Sequence, residues 1–556
     1  MVAGLWLNEG FATWMAWYAC DAFYPEWRVW QMYVADKLQR GLSLDALRSS
    51  HPIQVPLRGE DEIGQIFDDI SYAKGACVLR MIAGALGEEV FLQGVRLYIH
   101  KHAYSNAATE DLWAALTETS GQNVGQMMHA WTRELGFPVL IVTEDAATHT
   151  IHIKQTRFLA TGDVELGEDD TIYPISLGLR TTENVAADLM LTAREGTFSV
   201  GSLDFFKVNA NHTGFYRTSY SSIRLKNLGE AGARGSLTVE DRVGLIADAA
   251  ALAAAGHQQT TDVLSLLETF KPEPEYVMWK QMIASITAMH AAWMHVPETQ
   301  GALQAFERYL VSDKAHQLGW TINEDDGHTV RQFKALLFER AVLTGDKTAQ
   351  QAAEKMWVGF RKGDRSAIHP DLRAAVFEHA IRRGGESEYN IILEEYRTAP
   401  TSDDRITALA ALGHARDPQL VQRTTAMLLS DEVRLQDIQV PMTSLQTHPN
   451  GISGLWKWMT QNWPVVKERL SSGLVVLTLV IGLCTSGFTT DEQRVAVASF
   501  FQENGTEGFD KALQQSLDEV RTKTRWVERD GESVRKWLHD FQGRNGSWGS
   551  LACIVS

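Results

Sequence analysis

A single glutamate near the start of the chain, Glu9, lies among residues that are nearly all apolar. It belongs to residues 5–12, LWLNEGFA, whose apolar spacing predicts a helix. A carboxylate that a helix buries is costly unless it is neutralised, paired with a cation or bound to a metal ion. Spacing alone favours a partly exposed glutamate at a helix end, so metal binding is a hypothesis at this point.

The histidines of the chain do not form the pair of zinc ligands that would be needed beside a zinc-binding glutamate. The sequence His-Glu-x-x-His places two zinc ligands one helical turn apart and adds a general base. Among the 17 histidines, His290 and His295 are five residues apart, and no pair has that spacing with the intervening glutamate. Isolated histidines such as His212, His316 and His379 are interpreted as structural.

A second residue that could do chemistry is Tyr72, which lies in residues 69–76, DISYAKGA. A phenol hydroxyl can donate a hydrogen bond to negative charge that develops on a reacting oxygen. Taken alone, the residue is interpreted as a half-buried tyrosine beside a turn.

Together, these two segments resemble gluzincin zinc aminopeptidases, in particular the fungal type of puromycin-sensitive aminopeptidase. Residues 5–12 are similar to the segment that supplies the third zinc ligand after the His-Glu-x-x-His helix, and residues 69–76 are similar to the catalytic-tyrosine motif. The resemblance implies one Zn²⁺ site with Glu9 as a metal ligand. It also implies that Tyr72 is catalytic and donates a hydrogen bond to the oxyanion of the tetrahedral intermediate.

Further segments along the chain resemble the same family, and two parts of the family pattern are missing. The similar segments extend the resemblance to about residue 541, and they are 50–56 (SHPIQVP), 131–138 (WTRELGFP), 241–248 (DRVGLIAD) and 524–529 (TRWVER). The sequence contains neither His-Glu-x-x-His nor the Gly-x-Met-x-Asn segment that helps to anchor the substrate's amino group. The resemblance therefore implies a chain truncated at its amino terminus, without two histidine ligands of the zinc.

The spacing of apolar residues divides the chain into three regions and a tail, and the family resemblance implies which domain each region forms. Helical spacing over 1–137 and 221–541 flanks short-period, β-branched segments over 138–220. We expect a mainly α, multidomain protein: the carboxy-terminal helical part of a thermolysin-like catalytic domain, a β-sandwich, and a HEAT-like α-helical bowl. Residues 542–556 are small and polar and predict a disordered tail.

Composition narrows the possible partners and compartments. The formal charge of −17 and the absence of a Lys/Arg-rich stripe argue against nucleic acid as a partner. The apolar run 474–484 is too short to cross a bilayer, so no transmembrane segment is predicted.

Four widely spaced cysteines and no signal peptide favour the cytoplasm, unless a targeting signal was lost upstream. The final four residues, from Cys553, match a prenylation pattern without upstream basic residues, which favours an accidental match.

Two functions follow as expectations. The first is an incomplete zinc aminopeptidase that hydrolyses amino-terminal residues from peptides and is inactive alone, since one carboxylate cannot hold catalytic zinc and the general base is missing. The alternative is a non-catalytic helical-repeat protein that binds peptides or takes part in other interactions.

Overall fold

A computed structural model of the chain describes residues 4–55, 66–470 and 474–545, together with the backbone but not the side chains of 474 and 475. It divides into two compact units, Met1–Met282 and Ile283–Ser556. The borders predicted at 137, 220 and 541 are not tested by this division and stay predictions. The carboxy-terminal Cys553 motif lies outside the described residues.

The first unit begins with a helical region, continues through small β-sheets and returns to helices. A π-helical segment, Val34–Leu38, joins α2 to α3, and a second one, Ile70–Lys74, leads into α4. The helices are α1 Leu5–Phe23, α2 Val29–Tyr33, α3 Gln39–Asp45, α4 Gly75–Leu86, α5 Glu88–Lys101, α6 Thr109–Ser120, α7 Val124–Arg133, α8 Ser222–Ala233, α9 Val239–Ala255 and α10 Thr260–Thr269, with α11 Tyr276–Ala292 spanning the division between the units.

Helix α1 carries Glu9 and is apolar on most of its surface. It contains several alanines, which favour helix, and it ends just before Pro25, which restricts the preceding residue to non-helical conformations. Its inner face buries Trp6, Leu7 and Trp14. The Trp6 indole nitrogen donates a hydrogen bond to the Thr109 hydroxyl at 3.1 Å, which fixes α1 to α6.

The β region forms three small sheets. In the largest one the strand order is β7-β2-β1-β9, with β1 antiparallel to β2 from Pro138 opposite Arg157, and parallel to β9. Residues of β2 alternate between buried and more exposed positions, as the short period predicted. The strands are β1 Pro138–Asp145, β2 Thr150–Arg157, β3 Ile175–Ser176, β4 Leu179–Thr181, β5 Val185–Ala186, β6 Met190–Leu191, β7 Glu195–Ser199, β8 Phe206–Lys207 and β9 Arg217–Ser219.

The second unit is helical throughout its described elements, and helices close in sequence pack against one another. Its last helix, 35 residues long, packs on α12, α21 and α22 and continues through 542–544, where the tail was predicted to start. The helices are α12 Pro297–Leu318, α13 His328–Thr344, α14 Lys347–Arg361, α15 Arg373–Arg383, α16 Glu386–Thr398, α17 Ser402–Leu412, α18 Pro418–Met427, α19 Gln439–Leu445, α20 Pro449–Leu470, α21 Leu474–Thr485, α22 Asp491–Asn504 and α23 Asp510–Arg544.

The fold class is therefore confirmed at the level of a mainly helical protein with small sheets. A β-sandwich and a HEAT-like bowl stay predictions. Within the described ranges, no helix combines the length and the apolar character that crossing a membrane requires.

Charged side chains on α12, α13 and α15 meet inside the second unit. Glu307 is 1% exposed, accepts a hydrogen bond from Arg340 at 2.6 Å, and its pKa is lowered to about 2, chiefly by Arg340 acting against the opposing effect of burial. Next to Arg340, burial and then the Glu378 carboxylate raise the pKa of Glu339 to about 7, although Arg340 and Arg382 oppose this. The pKa values of the neighbouring Glu307 and Glu339 are thus shifted in opposite directions.

Replacing Glu339 with glutamine should change how stability depends on pH. Because the pKa of Glu339 rises on folding from 4.5 to about 7, the native protein holds an extra proton between these values and loses stability as pH rises through them. Relative to the wild type, Glu339→Gln should gain about 2 kcal/mol between pH 5 and pH 7.5. Urea midpoints at both pH values measure this. Glu394→Gln, an exposed site on α16, is the control and should shift neither midpoint; an equal response in both variants contradicts the prediction.

Candidate functional site

The two residues predicted to do chemistry, Glu9 and Tyr72, lie on segments that pass unusually close to each other. A Cβ atom added to Gly10 would come within 3.0 Å of the Gly75 Cα and carbonyl carbon. Only hydrogen atoms therefore separate the two backbones at this point. The contact places Glu9, one residue before it on α1, beside the segment that ends at Lys74.

The structure brings Glu9 and Tyr72 together. The Glu9 carboxylate lies close enough to the Tyr72 hydroxyl to affect its titration, and both side chains are partly exposed. The pKa of Tyr72 is raised above its usual 10.0, first by burial and then by the neighbouring Glu9 carboxylate. The phenol is therefore protonated at neutral pH and available as a donor.

Tyr72 occupies the middle of the π-helical turn Ile70–Lys74. In this turn the Lys74 amide bonds the Asp69 carbonyl at 2.8 Å, a five-residue spacing that widens the helix. Single π-helical turns inserted at the start of an α-helix redirect side chains and are frequent at functional sites. The turn presents Tyr72 towards Glu9 while the neighbouring residues Ser71 and Ala73 are buried.

An acidic residue, Asp68, holds the start of this turn. One of its carboxylate oxygens accepts a hydrogen bond from the Ile70 amide at 2.9 Å, and the other lies 2.9 Å from Nε2 of His51. His51 is 5% exposed, and its Nδ1 donates to the Pro52 carbonyl at 2.8 Å. The segment around His51 is thereby tied to the turn that carries Tyr72.

A fully buried ion pair anchors the other end of the turn. Lys74 and Asp45 have no exposed side-chain surface, and their charged atoms are 2.7 Å apart. Lys74 also donates to the Gly136 carbonyl at 3.1 Å, while Asp45 accepts from the Ser50 hydroxyl at 2.8 Å. Breaking a buried pair of this kind by removing one partner costs about 3–5 kcal/mol.

Asp45, His51, Asp68 and Lys74 were not assigned a role from the sequence. A lysine among largely apolar residues, as in the segment 70–79, is a signal for a buried ion pair, but it does not identify the partner. The partner lies 29 residues earlier in the chain, where no local pattern marks it.

Within the described ranges, the residues around Glu9 do not fit a catalytic zinc ion by themselves. No group of three His, Cys, Asp or Glu side chains there could hold a metal ion. A catalytic zinc ion takes three protein ligands and leaves one position for water. Glu9 is one carboxylate with a tyrosine beside it, so this part of the chain offers a single ligand of the predicted set.

Comparison with protein families gives two matches that together cover most of the chain. The model of the peptidase family M1 domain matches residues 3–131, and the model of the ERAP1-like C-terminal domain matches residues 205–522. Glu9 and Tyr72 both fall inside the first match.

Curated relatives match the chain over nearly its full length. It is 44% identical over 538 residues to aminopeptidase 2 of Candida albicans, covering 96% of this chain and 58% of the relative. It is 43% identical over 538 residues to mitochondrial aminopeptidase 2 of Saccharomyces cerevisiae, covering 97% and 56%, and 32% identical over 545 residues to aminopeptidase M1 of Arabidopsis thaliana, covering 94% and 61%. The chain thus spans less than two thirds of the length of these relatives.

Gly10→Ala should destabilise the first unit, because the added methyl group must displace the backbone at Gly75. We expect a net loss of about 1–3 kcal/mol, even though alanine in a helix interior is worth about 1 kcal/mol over glycine. Urea unfolding followed by circular dichroism measures the change.

Gly84→Ala is the matched control, since Gly84 lies in α4, is exposed, and would place its Cβ no closer than 3.8 Å to other atoms. It should stabilise the protein by about 0.5–1 kcal/mol. An equal gain in both variants would mean that the backbones at Gly10 and Gly75 are not in close contact.

Proposed function

The chain belongs to the peptidase M1 family of zinc aminopeptidases, and we propose on this basis that it acts in hydrolysing amino-terminal residues from peptides. The observation that supports this proposal beyond the family is the proximity of Tyr72 to Glu9, whose carboxylate raises the pKa of the phenol. These are the two side chains to which the resemblance gives roles, although they are 63 positions apart in the sequence.

In this proposal Tyr72 stabilises the negative charge that develops on the substrate's carbonyl oxygen during hydrolysis. The phenol stays protonated at neutral pH because its pKa is raised, so it can donate a hydrogen bond to an oxyanion on the substrate. The π-helical turn, held by Asp68 and by the Lys74–Asp45 pair, keeps the hydroxyl in place without rearrangement. Removing one such oxyanion donor typically lowers kcat by about 10²–10³.

Glu9 is proposed as a zinc ligand. A bound zinc ion would polarise the scissile carbonyl and lower the pKa of a water molecule. The 556 residues contain no His-Glu-x-x-His, so they supply neither two further ligands in this pattern nor its general base. We therefore propose that this polypeptide alone neither holds catalytic zinc nor turns over substrate.

The second candidate function, a non-catalytic helical-repeat protein, is not favoured, because the relatives reported above are all named aminopeptidases. Cytoplasmic localisation also stays a proposal, since one of these relatives is named mitochondrial.

The purified 556-residue polypeptide tests the proposal of inactivity. Mass spectrometric metal analysis should find no stoichiometric zinc, and assays with an aminoacyl-amide should detect no hydrolysis above background, because the described residues offer one ligand of the predicted set. One zinc ion per chain together with turnover would contradict the proposal.

A chimera tests the roles of the two residues. The part of Candida albicans aminopeptidase 2 that precedes the matched region is fused to this chain, and the product should bind one zinc ion and release amino-terminal residues. Tyr72→Phe in the chimera should lower kcat by about 10²–10³ at unchanged zinc content, whereas Glu9→Gln should lower zinc content.

Tyr18→Phe is the control for this experiment. Tyr18 lies on α1, the helix that carries Glu9. Its hydroxyl donates a hydrogen bond to the Glu88 carboxylate at 3.0 Å on the exposed surface. Its variant should retain zinc and rate. A Tyr72→Phe chimera that is as fast as the Tyr18→Phe chimera contradicts the role given to Tyr72, and a Glu9→Gln chimera that keeps its zinc contradicts the role given to Glu9.

A further inference from the structure

Two neighbouring residues of the loop 50–54 contact opposite ends of the π-helical turn in the candidate site. The Ser50 hydroxyl donates a hydrogen bond at 2.8 Å to Asp45, which is ion-paired with the last residue of the turn. His51, the next residue in the chain, has its Nε2 atom 2.9 Å from the carboxylate of Asp68, at the start of the turn. One short loop therefore holds the turn from both ends.

Asp68 connects His51 directly to the backbone of Tyr72. The carboxylate oxygen that does not face His51 accepts hydrogen bonds from the amides of Ile70 at 2.9 Å and Ser71 at 3.4 Å. The Asp68 carbonyl accepts a third hydrogen bond, from the Tyr72 amide at 3.1 Å. Because these amides are consecutive, a displacement of Asp68 would displace the tyrosine as well.

The loop itself is attached to helix α7. The Gln54 backbone amide donates to the Thr132 carbonyl at 2.8 Å, and the Gln54 side-chain amide donates to the Thr132 hydroxyl at 3.1 Å. Thr132 is buried, and between the two ends of the loop Ile53 is only 4% exposed. These contacts fix the loop independently of the turn, so the loop can restrain the turn.

His51 has no free group with which to act on a substrate. Its ring is 5% exposed, Nε2 faces Asp68, and Nδ1 lies 2.8 Å from the Pro52 carbonyl. Any effect of His51 on hydrolysis must therefore pass through the residues that it holds. Such an effect can be large, because a misplacement of about 1 Å at a reacting centre can lower the rate about 10²-fold.

We propose that Ser50 and His51 are positioning residues, which hold the Tyr72 hydroxyl where it donates to the oxyanion. This inference rests on the function proposed above for Tyr72. It deepens that function, because it gives a share of the rate to two residues that reach the reaction only through Tyr72.

Two replacements of His51 with different reach test the proposal in the chimera with the Candida albicans segment. The amide nitrogen of glutamine can take the place of Nε2 and donate to Asp68, whereas that of asparagine takes the place of Nδ1 and does not reach it. His51→Asn should lower kcat about tenfold to hundredfold with unchanged zinc content and KM, because it misplaces a group that acts in the transition state. His51→Gln should retain most of the rate.

A double substitution separates positioning from general damage. In the Tyr72→Phe chimera, His51→Asn should lower kcat no further, because the hydroxyl that the loop positions is absent. Ser50→Ala should lower kcat about threefold to tenfold when Tyr72 is present and not in the Tyr72→Phe chimera. This second variant decides the question if His51→Asn does not fold.

His448→Asn is the matched control, since His448 is also buried, at 4% exposed, and its Nε2 lies 3.1 Å from the Gly413 carbonyl in the second unit. It should lower stability and leave kcat unchanged. The positioning role is overturned if His51→Asn and Ser50→Ala are as fast as His448→Asn, or if they lower kcat equally with and without the Tyr72 hydroxyl.

Hydrogen–deuterium exchange on the 556-residue chain gives a readout that needs no activity. Peptides that cover residues 68–74 should exchange faster in His51→Asn than in the wild type, and at the wild-type rate in His51→Gln and His448→Asn, because only the first removes the support of the turn. Unchanged exchange in His51→Asn would overturn the positioning role. A chimera with the unaltered sequence of this chain that neither binds zinc nor turns over would instead overturn the proposed function.

Discussion

The contact between Gly10 and Gly75 is the constraint on which the candidate site depends. Two helical segments approach there until an added Cβ would be 3.0 Å from backbone atoms. At such a distance no other side chain fits without moving one of the segments. The close approach sets the position of Glu9 relative to Tyr72 through the packing of the two backbones, so this position does not depend on the interaction between the two partly exposed side chains.

Buried charges hold the second segment against this contact. Lys74 and Asp45 form an ion pair with no exposed side-chain surface, and Asp68 bonds the amide that opens the π-helical turn. Taking such charges out of water is expensive, so the pair contributes less to stability than its short distance suggests. The pair instead favours one position of the turn over others, because Lys74 would lose the carboxylate that compensates its charge if the turn moved.

The sequence was enough to predict the mainly helical fold, whereas the structure that positions the two candidate residues was not predictable. Glu9 and Tyr72 stood out because their local segments resemble known motifs, and the mainly helical fold followed from apolar periodicity. The π-helical turn, the His51–Asp68 contact and the Asp45 partner of Lys74 could not be predicted. The two side-chain contacts join residues that are far apart in the sequence, and apolar periodicity carries information only about near neighbours. The π-helical turn changes the backbone hydrogen bonds but leaves the apolar pattern of the sequence unchanged. The roles of Glu9 and Tyr72 stay predictions until the chemistry is measured.

The glycine contact also has a genetic consequence. Every single-nucleotide change in a glycine codon that alters the amino acid introduces a larger residue, and all of these carry a Cβ atom. At Gly10 any such change meets the backbone of Gly75 rather than a flexible side chain that could move aside. Loss of the site can therefore begin with a missense mutation in the codon of a residue that has no functional group.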